Sequence, residues 1–181
     1  MNRLSILALV LALAACAPPP GGPGPVAAAS SSPALPSSPV SAAPDPTFQV
    51  TLQRTVCFGT CPAYSVTIAA DGKVSYDGAR FVAVTGHRDG MADPAKLAAL
   101  IALIDSSGFM DLKDDYAAAV TDMPSQIITV TRKGRTHRVR DYAGRMAGMP
   151  EDVSRIEALI DDAAGVEPWV GAREAFRGGG R

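Results

Sequence analysis

A run of thirty residues near the amino end of the chain, 17–46, consists almost entirely of Pro, Ala, Ser and Gly and carries no charge before Asp45. Such a composition cannot bury enough apolar surface to offset the conformational entropy that folding removes. Its prolines also favour extended, solvated backbone. The run therefore predicts a disordered linker, and it restricts a folded domain to the residues that follow.

The residues before this linker have the pattern of an export signal. Arg3 supplies a positive charge, and the apolar stretch 4–13 has the length of the central region of a secretory signal peptide. The stretch is too short for a permanent membrane helix, which needs about 20 apolar residues. We predict that 1–15 is a cleavable signal peptide.

The sequence Leu13-Ala14-Ala15-Cys16 resembles the lipobox of bacterial lipoproteins. The resemblance implies that Cys16 receives a diacylglyceryl group, that cleavage occurs just before it and that its new amino group is acylated. Several acyl chains on one residue anchor a protein stably in a membrane. By analogy with enterobacterial sorting, Ala17 favours the outer membrane, with the protein facing the periplasm. The alternative is an ordinary signal cut after Ala14, which would leave Cys16 as a free thiol.

Periodic hydrophobicity begins near Thr47 and ends near residue 166. We therefore predict one globular domain at 47–166, followed by a partly disordered tail at 167–181. Alternation of apolar and polar residues predicts half-buried strands, and Asp-Gly pairs predict turns because both residues tolerate positive φ. Turns at Asp71-Gly72 and Asp77-Gly78 would separate the second, third and fourth strands, with the fourth at 80–86.

Two later segments repeat apolar residues with the period of a helix. The first starts after Asp93, a residue that favours the N-cap, and the second starts at Pro150. Between them, 126–132 and 135–142 predict a second hairpin. The order is ββββαββα. We predict an α+β domain in which an antiparallel sheet of about six strands has two amphipathic helices packed on one face.

Cys57 and Cys61 are the other two cysteines, and they lie between the first two predicted strands. Exported proteins reside in oxidising compartments, where disulfides persist, so we predict that this pair forms a disulfide. A thiol-redox pair is one alternative, but reactive pairs usually lie at a helix N-terminus, whereas Pro62 leads into a strand. A zinc site completed by His87 and His137 is the other. The favoured interpretation includes neither a metal nor a cofactor.

The segment Cys57-Phe58-Gly59-Thr60-Cys61-Pro62-Ala63-Tyr64, followed by the Asp71-Gly72 hairpin, resembles a bacterial family of domains of unknown function with the signature C-F/Y-G-x-C-P-x-Y. Tyr116 and 121–125 fit later parts of the pattern, so the resemblance spans roughly 47–142. It implies a secreted or lipid-anchored protein and supports the domain boundaries. It implies no catalytic residue.

Positive charge is concentrated on the second predicted hairpin, in Arg132, Lys133, Arg135, Arg138 and Arg140. These side chains are candidates for a surface that binds an anionic ligand, such as lipid head groups or a cell-wall polymer. The alternative is that they only protect an edge strand from pairing with another chain.

No nucleophile motif, phosphate loop or H-E-x-x-H sequence is present. Four neighbouring aspartates lack the spacing of a calcium loop and indicate turns: Asp111, Asp114, Asp115 and Asp122. A formal net charge of −1 gives no attraction to nucleic acid. We expect a membrane-anchored envelope lipoprotein that is a non-enzymatic binding or structural module, with an envelope protein or an anionic polymer as its partner. The alternative is a periplasmic thiol-redox factor or enzyme that uses Cys57 and Cys61.

Overall fold

Seven strands form a single sheet in the computed structural model of the chain, which describes residues 45–171. They are β1 (Gln49–Arg54), β2 (Ala63–Ala69), β3 (Lys73–Arg80), β4 (Gly86–Met91), β5 (Asp115–Ala117), β6 (Gln126–Arg132) and β7 (Arg135–Tyr142). Their order across the sheet is β4-β3-β2-β1-β6-β7-β5. Neighbouring strands are antiparallel except at one edge, where β5 runs parallel to β7. The first strand of the domain is therefore the central one.

Tight turns set the strand register on both sides of β1. Asp71 and Gly72 close β2 onto β3, and Gly72 has a φ of 82°, a left-handed backbone that glycine adopts at no steric cost. Lys133 and Gly134, both at positive φ, close β6 onto β7. In the resulting register, the apolar residues of β1 lie directly opposite those of β2 and β6. All of them therefore share one face of the sheet.

Two long helices and three short helical segments complete the described part of the chain. They are α1 (Pro94–Ser106), α2 (Glu151–Ala164) and α3 (Glu167–Val170), with single 3-10 turns at Phe109–Asp111 and Gly144–Ala147. The Asp93 side chain caps α1, since its Oδ1 accepts hydrogen bonds from the backbone N–H groups of Ala95 and Lys96 at 2.9 and 3.0 Å. The second helix ends at Gly165, which has a φ of 63°.

One face of the sheet and the inner sides of α1 and α2 enclose the hydrophobic core. The fully buried side chains alternate along the strands and recur every four residues along the helices. They include Val50, Leu52, Val66, Ile68, Val74, Ile128, Val130, Val139, Leu100, Ile104, Ile156 and Ile160. The opposite face carries mainly Thr, Ser and Gln, as antiparallel sheets with one solvated face commonly do. The domain is α+β, with both long helices on one face, as predicted.

The structure corrects the predicted strand count and one strand boundary. A seventh strand, β5, has only three residues and pairs in parallel, so the sheet is mixed and not purely antiparallel. Asp77 and Gly78 continue β3 and do not form the predicted turn. Residue 78 is glycine for a different reason, because Val84 O and the Tyr76 side chain occupy the space that a Cβ would need. The predicted fourth strand at 80–86 is therefore wrong, and β4 begins where it was expected to end.

The chain after α2 packs back onto the sheet. The indole of Trp169 in α3 lies against the ring of Tyr76, with centroids 5.2 Å apart. The backbone N–H of Val84 donates to the carbonyl of Trp169 at 2.8 Å. The first residues of the predicted tail are therefore helical and attached to the domain.

Three predicted segments lie outside the described residues. They are the signal peptide at 1–15, the lipidated Cys16 with its linker up to residue 44, and the tail from residue 172 onward. Within residues 45–171, no helix combines the length and the apolar character that crossing a membrane requires.

Replacement of Asp93 by Ala is expected to lower the free energy of unfolding by about 1 kcal/mol, because two N–H groups at the start of α1 lose their acceptor. Asn offers the same short acceptor, so Asp93→Asn is the matched control and should keep most of the stability. Urea unfolding followed by circular dichroism measures both. Equal midpoints for Asp93→Ala and the unchanged protein would show that this cap contributes nothing.

Candidate functional site

Cys57 and Cys61 form a disulfide that closes the connection between β1 and β2, as predicted. Their Cα atoms are 5.6 Å apart. The backbone N–H of Phe58 also donates to the carbonyl of Asp122 at 3.2 Å, which ties the loop to the segment before β6. A short loop closed by a covalent bond has few alternative conformations. We call residues 57–61 the disulfide loop.

The side chain of Phe58 projects from the disulfide loop into solvent. It is 89% exposed, and Val56 and Met123, which flank the loop, are each about half exposed. Burying a Phe side chain is ordinarily worth about 1.5–3 kcal/mol, and folding of this chain leaves that gain unused. The loop therefore holds a large aromatic ring where a second surface can reach it.

A cluster of polar side chains joins the adjacent end of the sheet to α2. Asp161 accepts hydrogen bonds from the Tyr64 hydroxyl at 2.8 Å and from an Arg54 Nη at 2.7 Å. Arg54 Nε donates to the Tyr64 oxygen at 3.0 Å, so the three side chains form a closed triangle. Asp161 is only 6% exposed. Arg54 faces inward because it continues the inward-facing alternation of Val50 and Leu52 along β1.

Two members of the triangle, Arg54 and Tyr64, are held in the ionisation state that the contacts require. Burial is the largest single influence on the pKa of Arg54 and lowers it, but the charge and hydrogen bond of Asp161 together with the neighbouring acidic groups outweigh burial, so the pKa rises and the guanidinium stays charged. Burial and then the Asp161 charge raise the pKa of Tyr64 well above its ordinary range, so the phenol remains a donor. The triangle is therefore electrically neutral and fixes α2 against β1 and β2.

A second buried acid, Glu157, lies one helical turn before Asp161 on α2. It is 7% exposed, and its Oε1 has no hydrogen-bond partner among residues 45–171. Burial, followed by the charge of Asp141, raises the pKa of Glu157 to about 8, so its protonated form is favoured at neutral pH. Asp141 accepts a hydrogen bond from the backbone N–H of Gly144 at 2.6 Å.

A cavity of about 320 Å³ opens beside the triangle. It is lined by Arg54, Pro62, Tyr64, Ser154, Glu157, Ala158, Asp161 and Val170. A wider groove of about 770 Å³ continues along α2 and shares Tyr64, Ala158, Asp161 and Val170 with it. Pro62 directly follows Cys61, so the disulfide loop lies at the rim of the cavity. Apolar side chains with a few polar groups around them are typical of binding sites.

Arginines of the predicted anionic-ligand surface are partly engaged with carboxylates. Arg132 contacts Asp105 through two hydrogen bonds of 3.0 and 2.7 Å. Arg140 contacts Asp115 through two hydrogen bonds of 2.9 and 2.8 Å. Bidentate pairs of this kind have a defined geometry and neutralise both partners.

The other three basic residues differ in their surroundings. Arg135 lies 3.2 Å from Asp111, whereas Lys133 and Arg138 make no ion pair with any residue in the described part of the chain. The hairpin therefore displays alternating charges and not a continuous positive patch. Its role as an anionic-ligand surface stays a prediction, and it depends mainly on Lys133 and Arg138.

The alternatives of a zinc site and a thiol-redox pair find no support in the geometry. Cys57 and Cys61 are bonded to each other and lead into β2, not into a helix N-terminus. His87 Nε2 lies 3.1 Å from Asp89, and His137 packs edge-on against Phe109. Across residues 45–171, no three His, Cys, Asp or Glu side chains are grouped to hold a metal ion.

Sequence reasoning did not identify Arg54, Glu157 or Asp161 as members of a site. One signal was present, since Arg54 occupies a core-facing position of a strand, where a charged side chain requires a partner. Glu157 and Asp161 each follow a core isoleucine of α2, and the helical pattern alone places them at the margin of the buried stripe. Only the packing of α2 shows that they are interior.

The stability of the protein should depend on pH through Glu157. Folding raises its pKa from 4.5 to about 8, so between these values the folded chain binds a proton that the unfolded chain releases. The free energy of unfolding should therefore fall as the pH rises from about 4.5 to about 8 and level off above that. Glu157→Gln keeps the size of the side chain without titrating. The free energy of unfolding of this variant should lack the slope, and at pH 9 it should be higher than that of the unchanged protein by roughly 2–4 kcal/mol.

Urea unfolding at pH 5, 7 and 9 measures this difference. Glu151→Gln, at an exposed position of the same helix, is the matched control and should keep the slope. Parallel pH curves for Glu157→Gln and the unchanged protein would contradict the assignment of a buried, protonated Glu157.

A comparison with known protein families covers the elements described above. Residues 48–164 match the family described as Domain of unknown function (DUF6438). The match includes all seven strands, both long helices, the disulfide loop and the polar cluster. No curated protein matches the sequence. Because the match extends over well over half of the chain, the chain belongs to this family of domains of unknown function.

Proposed function

We propose that this chain is a lipid-anchored protein of the cell envelope whose domain is a binding module and not an enzyme. The pattern of 1–15 and the lipobox resemblance at Cys16 support export and lipidation. The composition of 17–46 supports a linker that lets the domain work at a distance from the bilayer. Ala17 supports the outer membrane, facing the periplasm.

The observation that carries the binding role is the exposure of Phe58 on a covalently closed loop. Aromatic side chains dominate the binding energy of many protein interfaces. A loop that is already fixed in its bound conformation loses less entropy on association. The disulfide and the hydrogen bond to Asp122 supply this fixation. The disulfide loop is therefore suited to recognise a protein surface with an apolar depression.

The polar side chains beside the disulfide loop are suited to holding the binding surface in position and not to catalysis. Arg54, Tyr64 and Asp161 satisfy one another through hydrogen bonds of 2.7 to 3.0 Å. Side chains that are engaged in this way hold a surface in position. A protein partner is favoured over an anionic polymer, because most of the basic hairpin is already paired with carboxylates.

Replacement of Cys16 by Ser is expected to move the protein from the membrane fraction to the soluble fraction of the envelope, because the lipid is attached through the Cys16 sulfur. Labelling of cells with a radioactive fatty acid should mark the unchanged protein and not the variant. The double variant Cys57→Ser/Cys61→Ser keeps Cys16 and is the control that should retain the label. A fatty-acid label that persists in Cys16→Ser would contradict lipidation at this residue.

A photoreactive phenylalanine analogue at position 58 of the full-length chain should capture a protein when intact cells are illuminated. The same analogue at Met91 is the control, because this residue is also exposed but lies at the opposite end of the sheet from the disulfide loop. We expect a discrete crosslinked band from position 58 that is at least tenfold weaker from position 91. Without such a band, the disulfide loop is not a protein-binding surface.

A further inference from the structure

We infer that the partner of the disulfide loop is a second copy of this chain. The Phe58 ring of each copy would enter the cavity beside α2 of the other copy. The inference rests on the proposed binding role of the disulfide loop and goes beyond it by naming the partner. It is drawn from one observation: the same molecule carries an exposed aromatic ring and, next to it, a cavity that no side chain of residues 45–171 fills and that has Pro62, Ala158 and Val170 among its lining residues.

The ring does not reach the cavity of its own chain. Phe58 is 89% exposed, although the loop that carries it lies at the cavity rim through Pro62. The Cys57–Cys61 bond and the hydrogen bond to Asp122 hold the loop so that the ring points away. The space beside Pro62, Ala158 and Val170 is therefore accessible to a Phe58 ring from another molecule.

The chemistry of the cavity suits an uncharged aromatic ring. Arg54 and Asp161 neutralise each other, and Glu157 is protonated at neutral pH. Asp162, at the edge of the wider groove, pairs with Lys96 at 2.7 Å. An entering phenyl ring would therefore bury no unpaired charge, which is the main cost of covering polar groups.

Symmetry favours a closed pair over a chain of molecules. In a two-fold interface the same patch is used by both copies, so each contact of Phe58 with the cavity occurs twice. Because the ring and the cavity are adjacent on this molecule, one two-fold axis beside them allows both contacts to form together. A head-to-tail arrangement would leave one exposed ring and one unfilled cavity at the ends.

The expected association is weak in solution and stronger on a membrane. Each buried aromatic side chain contributes about 150–250 Å². Two rings with their flanking Val56 and Met123 would bury on the order of 1,000 Å² in total, which is the lower limit for a specific interface. Two copies tethered to one membrane meet at a much higher effective concentration than two free domains.

Photocrosslinking in cells that co-express two differently tagged full-length copies tests the inference. With the phenylalanine analogue at position 58 of one copy, we expect a product that contains both tags and has twice the mass of the chain. Mass spectrometry should place the crosslink between residues 154 and 170, where the cavity-lining part of α2 and α3 lies.

A cavity-filling variant supplies the matched comparison. Ala158 is exposed and lines both the cavity and the groove, so Ala158→Trp should occupy the site and reduce the two-tag product at least tenfold. Ala102→Trp, at an exposed position of α1 that lines neither, should leave the product unchanged. Equal yields from the two variants would overturn the assignment of the cavity as the receiving site.

The outcomes separate this inference from the proposed function. A strong product with a different protein and none with both tags would overturn self-association but keep the binding role of the loop. A crosslink within one chain, to residues 172–181, or no product at all, would overturn both.

Discussion

The contact of Asp161 with Arg54 and Tyr64 determines how the helical layer meets the sheet. It joins α2 to the ends of the two strands that flank the disulfide loop. The apolar core supplies most of the driving force for folding, but apolar contacts are not directional. Hydrogen bonds of 2.7 and 2.8 Å to a buried carboxylate are directional, and they define where α2 lies. The cavity and its rim follow from that placement.

Burying acidic groups in this cluster costs free energy, and the raised pKa of Glu157 reflects that cost. Burial disfavours the ionised form of Glu157, and the charges of Asp141 and Asp161 near it add to this effect. The pKa of Glu157 is the one that rises. Stabilisation of the helix position and sensitivity to alkaline pH therefore have a common origin in this end of the domain.

Local patterns in the sequence predicted much of the fold but little of the site. Alternation along β1 and β2, the turns at Asp71-Gly72 and Lys133-Gly134, and the Asp93 cap each depend on residues a few positions apart. The triangle depends on Arg54 and Asp161, which are 107 positions apart, and no local pattern relates them. Because these patterns span only a few residues, they also led to two errors in the predicted fold. The three-residue β5 is too short for alternation to show, and the glycine of Asp77-Gly78 serves close packing and not a turn.

The disulfide between Cys57 and Cys61 has a consequence for the time at which the domain can act. Thiols stay reduced in the bacterial cytosol and become oxidised outside it. A newly made chain would hold residues 57–61 as an open segment, with no covalent bond to keep Phe58 away from its own cavity. Under the proposed export, oxidation would act as a maturation step that closes the loop around Phe58 only after the chain has left the cytosol.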